Sequence, residues 1–138
     1  MRYTIPMSDP EAKKQSVLLV DDDQFLLNMY LLKFKNSGFE AETANTAEGA
    51  LQKLRDGLSP DLILCDLVMP GMDGIQFITK LKEERLAPSS AVVVLTNQGQ
   101  STDIDRAKEL GVAGYIVKAS TIPSEVVGEV KKILAKRK

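Results

Sequence analysis

Short apolar runs alternate along this chain with longer stretches in which apolar residues recur at helical spacing. Five runs have strand character, the second of them weakly: Val17–Val20, Phe39–Ala44, Leu62–Cys65, Ala91–Leu95 and Ala113–Val117. Strands that alternate with helices in this way are typical of βαβ units, in which parallel strands form one sheet between layers of helices. The sequence therefore predicts an α/β fold with a doubly wound parallel sheet of five strands and five helices.

The first predicted helix follows the first strand and ends at Gly38, a residue type that commonly terminates helices. Its residues Phe25, Met29, Leu32 and Phe34 fall close to one face. An apolar face of this kind usually packs against a core. We therefore predict that these four side chains form the core-facing side of the helix.

The other four helices are predicted from caps and spacing. Asn45, with Glu48 three residues later, has the pattern of a capping box that would start the second helix. The last three helices share apolar positions at helical spacing: Phe77, Ile78 and Leu81 in the third; Ile104, Ala107 and Leu110, ending at Gly111, in the fourth; Val127, Val130, Ile133 and Leu134, starting near Pro123, in the fifth.

The length of 138 residues fits one domain. Residues 1–14 contain two prolines, several charges and no periodicity. A segment of this composition does not bury enough apolar surface to fold by itself. We predict a flexible N-terminal extension over residues 1–14 and one folded domain over residues 15–138.

The charges nearly balance, with 18 basic and 19 acidic residues and a net charge of -1. This balance supplies no general field for binding nucleic acid or an anionic membrane, so neither is predicted as a direct partner. One cysteine and no histidine exclude a disulfide framework and a His/Cys zinc site. No apolar run approaches the roughly 20 residues that span a bilayer. These features favour a cytoplasmic protein.

Four aspartates follow predicted strands at the point where the strands end. Asp21, Asp22 and Asp23 come directly after the first strand, and Asp66 follows the third. In a doubly wound parallel sheet, sites collect just beyond the carboxyl ends of the strands. Because clustered carboxylates repel one another unless a cation lies among them, the pattern predicts a site for a hard ion such as Mg²⁺.

Thr96 after the fourth strand and Lys118 after the fifth bring a hydroxyl and a cation to the same edge. Phosphoryl transfer needs a metal and a fixed cation to neutralise phosphoryl oxygens, a hydrogen-bond donor and a nucleophile in line. Asp66 is the carboxylate free to attack, and its product would be an acyl phosphate. Asp23 is predicted to cap the first helix.

The segments VLLVDDDQ, LILCDLVMPGMDG, VVVLTNQ and GYIVKA stand in this order along the chain. In order and spacing they resemble the receiver domain of a bacterial response regulator, a chemotaxis-regulator-like module of two-component signalling, from about Ser16 to the C-terminus. The resemblance implies a flavodoxin-like fold with the strand order 2-1-3-4-5. It also implies a signalling switch, not a metabolic enzyme, that catalyses only its own phosphorylation and dephosphorylation.

Carried over position by position, the resemblance implies the phosphoacceptor and its metal ligands. Asp66 would accept the phosphoryl group. The ligands of Mg²⁺, or of Mn²⁺, would be the carboxylates of Asp21, Asp22 and Asp66 with the backbone carbonyl of Val68. The phosphodonor would be a phosphohistidine of a sensor histidine kinase or of a phosphotransfer protein.

The resemblance also implies how phosphorylation reaches a partner. Thr96 would bond to the phosphoryl group, and Lys118 would pair with it. Tyr115 matches the family's switch aromatic, whose rotamer follows the movement of Thr96. The output surface would be formed by the fourth helix, fifth strand and fifth helix, binding an unknown downstream target as a monomer or as a phosphorylation-dependent dimer.

Two residues depart from the family pattern. Receivers usually follow the lysine with a proline in a cis peptide, whereas Ala119 follows Lys118 here. A cis bond before a residue other than proline costs about 2.5–4 kcal/mol, so the bond is either trans or strained. Asn97 replaces the small residue that the family favours beside Thr96, and we expect its amide to narrow access to the acyl phosphate.

Two alternatives to a phosphoaccepting receiver remain at this stage. In a haloacid-dehalogenase-type phosphatase, Asp21 would be the nucleophile and Asp23 the acid/base, but the acidic pair required after Lys118 is missing and Asp66 has no role. The other alternative is a docking module of the same fold that works without phosphorylation. The presence of every site acid and of Lys118 argues against it.

Overall fold

Five parallel strands form one sheet in the computed structural model, which describes residues 14–97, 101–118 and 121–137. The strands are β1 (Ser16–Val20), β2 (Glu40–Ala44), β3 (Leu62–Asp66), β4 (Ala91–Thr96) and β5 (Gly114–Val117), in the order β2-β1-β3-β4-β5. The predicted α/β class and the order 2-1-3-4-5 are therefore confirmed. Residues 1–13 of the predicted extension and Ala119 lie outside the described residues.

Five helices cover the two faces of the sheet, as the sequence predicts. They are α1 (Gln24–Asn36), α2 (Ala47–Arg55), α3 (Gly74–Glu83), α4 (Ser101–Glu109) and α5 (Pro123–Lys136). Alternate strand residues enter two separate cores. Leu18 and Val20 pack with α2 and α3, whereas Val17 and Leu19 pack with α1 and α5. Within the described ranges, no helix has the length and apolar character required to cross a bilayer.

The prediction for the buried face of α1 is wrong in three of its four residues. Phe34 is buried, but Phe25 is 75% exposed, Leu32 is 62% exposed and Met29 is also exposed. The buried residues of α1 are Leu27, Tyr30 and Phe34. Apolar residues occur on both sides of this helix, so periodicity alone leaves two candidate faces. The direction in which the helix leaves β1 selects between them, and an apolar stripe remains on the surface.

The cap of α1 is confirmed and that of α2 is wrong by one residue. The carboxylate of Asp23 accepts a hydrogen bond from the N–H of Leu26 at 3.1 Å. At α2 the capping oxygen belongs to Thr46, which accepts from the N–H of Gly49 at 2.9 Å. Asn45 instead donates its side-chain amide to Gln24. Because Thr46 is the last extended residue before the helix, its hydroxyl is the one placed beside the free N–H groups.

The turn between β3 and α3 places Gly74 directly against the end of β3. The N–H of Gly74, the first residue of α3, donates to the carbonyl of Leu67. Asp73, which immediately precedes the helix, forms a capping box with Gln76. A Cβ on Gly74 would lie 2.5 Å from the carbonyl oxygen of Asp66 and 2.8 Å from the Cα of Leu67. Only glycine fits this approach, which fixes the backbone that carries Asp66.

Candidate functional site

Strand register brings the polar residues predicted from the sequence to one edge of the sheet. Val20 pairs with Cys65, so Asp21 and Asp66 leave neighbouring strands at the same level. Across β4, Thr96 is paired with Val117, the residue before Lys118. The carboxyl ends of four strands therefore converge on one site, where the sequence predicted them to meet.

Lys118 joins the two buried carboxylates of the site. Its Nζ lies 2.9 Å from Oδ2 of Asp21 and donates a hydrogen bond to Oδ2 of Asp66 at 3.2 Å. Asp21 and Asp66 are almost completely buried. The other oxygen of Asp66 accepts from the N–H of Val68 at 3.3 Å, and Oδ1 of Asp21 accepts from the N–H of Asp23 at 3.0 Å. The lysine thus supplies a fixed positive charge between the two acids.

Burial raises the pKa of the Asp66 carboxyl, because desolvation disfavours the charged form. The charge and hydrogen bond of Lys118 lower that pKa, the charge of Asp21 raises it, and the net direction is upward. Burial acts in the opposite sense on Lys118, but the contacts with Asp21 and Asp66 outweigh it and raise the pKa of the ammonium. Lys118 is therefore positively charged at neutral pH, and an additional cation near Asp66 would favour its ionised form.

Three carboxylates can share one metal ion at this site. One oxygen from each of Asp21, Asp22 and Asp66 lies within 4.8 Å of the others. Oδ2 of Asp21 is buried, and the ammonium of Lys118 at 2.9 Å is its ion-pair partner among the described residues. Hard cations such as Mg²⁺ take oxygen ligands and are commonly bound through one or two carboxylates plus phosphate. The donor set fits such an ion, and Asp22, which is exposed, faces the solvent from which the ion would enter.

A cavity of about 400 Å³ opens over these groups. It is lined by the three clustered carboxylates and by Lys118, and also by the residues at its rim, which are Asp23, Leu26, Val68 and Asn97. Asn97 lines the cavity and is exposed, and the narrowing of access by its amide stays a prediction. Asp23 lines the cavity and also caps α1, as the sequence predicted. The role of the Val68 carbonyl stays a prediction.

The two predicted switch residues lie on neighbouring strands and differ in exposure. Thr96 is buried at the end of β4, one residue beyond the partner of Asp66 in the sheet. Tyr115 is 45% exposed on the edge strand β5. The ammonium of Lys108 on α4 lies over its ring, with Nζ 5.7 Å from the ring centroid. The tyrosine is therefore in an outward position.

Tyr30 is a residue near the site that sequence reasoning missed. It lies on the buried side of α1, the side that the periodicity did not select. Burial raises the pKa of its phenol; the charge of Lys118 lowers that pKa, and the charges of Asp21 and Asp66 raise it. A correct choice of the α1 face would have placed Tyr30 beneath the carboxylates. Cys65, by contrast, is buried on the α2 and α3 side of the sheet and has no role in the site.

Comparison with known proteins gives a consistent result. A family model described as the response regulator receiver domain matches residues 17–128. The phosphate regulon transcriptional regulatory protein PhoB of Escherichia coli K12 is 35% identical over 118 residues, which cover 86% of this chain and 51% of PhoB. The DNA-binding response regulator MtrA of Mycolicibacterium smegmatis is 32% identical over 121 residues, which cover 88% of this chain and 51% of MtrA. The chain thus spans about half the length of these relatives.

Solved structures share the whole fold. The chemotaxis protein CheY4 of Vibrio cholerae aligns with a TM-score of 0.81 at 25% identity, covering 88% of this chain and 99% of CheY4. A CheY-like response regulator receiver domain protein of Methanospirillum hungatei also aligns with a TM-score of 0.81 at 25% identity, covering 90% of this chain and 96% of that protein.

Proposed function

Because this chain belongs to the response regulator receiver domain family, we propose that Asp66 accepts a phosphoryl group from a phosphohistidine of a sensor histidine kinase or phosphotransfer protein. The observation that supports this most directly is the cavity in which Asp66 lies beside two further carboxylates and Lys118. The reaction is assigned to the cytoplasm, because a single buried cysteine suits a reducing compartment.

In the proposed reaction, a carboxylate oxygen of Asp66 attacks the phosphorus atom of the donor. The phosphorus–nitrogen bond breaks, its electron pair stays with the imidazole, and an acyl phosphate forms on Asp66. Lys118 pairs with a phosphoryl oxygen as it gains negative charge. The ammonium already lies 3.2 Å from Asp66, so little rearrangement is required.

Asp21, Asp22 and Asp66 would hold Mg²⁺ or Mn²⁺, with the backbone carbonyl of Val68 as a further ligand. A divalent ion at this position supplies charge neutralisation for the phosphoryl oxygens. Within the chain itself, the Val68 N–H orients Asp66 and the Asp23 N–H orients Asp21. These backbone hydrogen bonds leave the second oxygen of each carboxylate directed to Lys118.

Phosphorylation is proposed to change the output surface through Thr96 and Tyr115. Thr96 moves toward the phosphoryl group, the ring of Tyr115 turns inward, and the affinity of the face formed by α4, β5 and α5 for its target changes. The phosphoryl group shifts this equilibrium only by the contacts that it makes in the active arrangement alone. The target is a protein of unknown identity, and no direct nucleic-acid contact by this domain is proposed.

The proposed chemistry predicts a metal-dependent adduct. Incubation with acetyl phosphate and Mg²⁺ should give a labile adduct of one phosphate, detected by intact mass. Excess EDTA should prevent it, because the clustered carboxylates then lack the cation that they share with the phosphoryl oxygens. An unmodified mass from folded, Mg²⁺-loaded protein, with acetyl phosphate and with a phosphohistidine donor, would leave the docking module as the better reading.

The surface beside the cavity suggests how a macromolecular donor is held. Phe25 of α1 is largely exposed, and Val68 at the cavity rim is 69% exposed. Exposed apolar residues next to a functional site often mark an interaction surface. We propose that the phosphodonor packs on this side of α1 while its phosphohistidine enters the cavity.

Replacing Phe25 by Asp should slow transfer from a phosphohistidine donor by roughly tenfold, because central apolar contacts dominate the binding energy of interfaces. Transfer from acetyl phosphate, which is too small to contact α1 and the cavity together, should stay at the wild-type rate. The two rates are measured on the same protein by the loss of donor phosphate. If Phe25→Asp and the wild type accepted phosphate from the phosphohistidine donor at equal rates, Phe25 and its side of α1 would not belong to the docking surface.

Lys118 is expected to couple the phosphoryl group to the output face. In Lys118→Ala the adduct should still form, but the change in amide hydrogen exchange of α4 and β5 that follows phosphorylation should be lost. The reason is that the pairing of ammonium and phosphate exists only after transfer. Lys132→Ala, which removes an exposed lysine of α5, is the matched control. A wild-type exchange response in Lys118→Ala would contradict this role.

A further inference from the structure

The outward position of Tyr115 has a specific partner on α4. Lys108 points its ammonium toward the ring face, with Nζ 5.7 Å from the centroid. A cation within about 6 Å of an aromatic centroid is attracted by the negative face of the ring. Within residues 14–97, 101–118 and 121–137, no carboxylate forms an ion pair with Lys108, and the contact of its ammonium is with the ring of Tyr115.

We propose that Lys108 is a positioning residue that holds Tyr115 in its outward rotamer and thereby sets the resting state of the switch. Its significance for signalling rests on the proposed function, whereas its effect on the rotamer does not. Lys108 approaches from α4 and Tyr115 lies on β5, so the contact bridges two elements of the output face. If the ring of Tyr115 turns inward, it loses its contact with the ammonium of Lys108. The contact therefore stabilises the unphosphorylated arrangement only.

The expected size of the effect follows from the exposure of the contact. At exposed sites a cation–π pair changes an equilibrium by about two- to fivefold. Without the charge of Lys108, the ratio of inward to outward Tyr115 should rise by about this factor before any phosphate is added. The free-energy difference that the phosphoryl group must offset is then smaller, so a given level of phosphorylation should produce a larger fraction of molecules with Tyr115 turned inward.

Fluorine NMR on protein labelled with 3-fluorotyrosine can measure this ratio, because the chain contains only three tyrosines. Tyr115→Phe identifies the resonance of Tyr115 by its disappearance. The variants to compare are Lys108→Met, which keeps the length of the side chain without its charge, and Lys108→Arg, which keeps the charge. Lys80→Met removes an exposed charge from α3 and serves as the matched control. Circular dichroism establishes that each variant is folded.

In unphosphorylated protein, Lys108→Met should move the Tyr115 resonance part of the way toward its position in the fully phosphorylated wild type. Lys108→Arg and Lys80→Met should keep the resting wild-type position. An unchanged resonance in Lys108→Met, with a wild-type response to phosphorylation, would overturn the role of Lys108 alone. A Tyr115 resonance that ignores phosphorylation in wild-type protein shown by intact mass to carry the adduct would instead contradict the proposed switch.

Discussion

Replacing Asp66 by Asn is expected to abolish the phosphate adduct completely. The amide that replaces the carboxylate has no negatively charged oxygen for attack on phosphorus. Of the other carboxylates that line the cavity, Asp21 and Asp22 are assigned to the metal ion in the proposed reaction and Asp23 caps α1. The shape of the side chain is preserved, so the cavity should keep its form. The measurement is intact mass after incubation with Mg²⁺ and acetyl phosphate, beside the wild type.

The same substitution should stabilise the metal-free fold at neutral pH. Burial raises the pKa of Asp66 in the folded chain, so the ionised carboxylate favours the unfolded state, where it is hydrated. This cost is present above the raised folded pKa and disappears below the ordinary pKa of aspartate. Asp66→Asn should therefore raise the melting temperature in EDTA at pH 7, and the difference from the wild type should shrink on acidification.

Asp105→Asn is a suitable control for both measurements, because it removes an exposed carboxylate of α4. It should leave the adduct intact and change the melting temperature little. An adduct of normal yield on Asp66→Asn would mean that another residue accepts the phosphoryl group. A lower melting temperature for Asp66→Asn in EDTA would mean that the contacts of Asp66 with Lys118 and Val68 outweigh its desolvation.

Among the described glycines, Gly74 is the one at which an added methyl group should disturb the structure most, so Gly74→Ala is the second prediction with a large expected effect. The added Cβ would lie 2.5 Å from the carbonyl oxygen of Asp66 and 2.8 Å from the Cα of Leu67, both of which are backbone atoms. Relief requires the start of α3 and the end of β3 to separate. Such overpacking costs about 1–3 kcal/mol of stability. Since the Asp66 backbone moves as well, phosphorylation by acetyl phosphate should slow by roughly ten- to hundredfold.

Gly128→Ala provides the control, since this helical glycine of α5 has no atom within 4 Å of an added Cβ. There the substitution should be neutral or should stabilise the protein by up to about 1 kcal/mol, because alanine favours helix over glycine. Urea unfolding and the phosphorylation rate are measured on both variants. If Gly74→Ala had the stability and rate of the wild type, the close approach of α3 to β3 would not fix the position of Asp66.

The residues at the strand ends could be located from the sequence because their placement follows from strand order alone. Once five parallel strands alternate with helices, their carboxyl ends lie at one edge of the sheet, and the strand order that the family resemblance implies puts β1 beside β3. Together these bring Asp21 and Asp22 to Asp66. The cap at Asp23 could be predicted for a similarly local reason. The start of α2 could not, because Asn45 and Thr46 are both good caps and only the backbone path selects Thr46.

The alternation of apolar runs by itself determined the fold class, the five strands and the edge of the sheet where the site lies, because these depend on period and chain order. Tertiary structure alone decided which side of α1 is buried, and so placed Tyr30 beneath the site and Phe25 on the surface. It also decided the contact of Lys108 with Tyr115. The physical reason is that a helix with apolar residues on two sides can bury either one, and the elements packed around it decide which. A long charged side chain can likewise reach several neighbours, and the surrounding elements decide which of them it contacts.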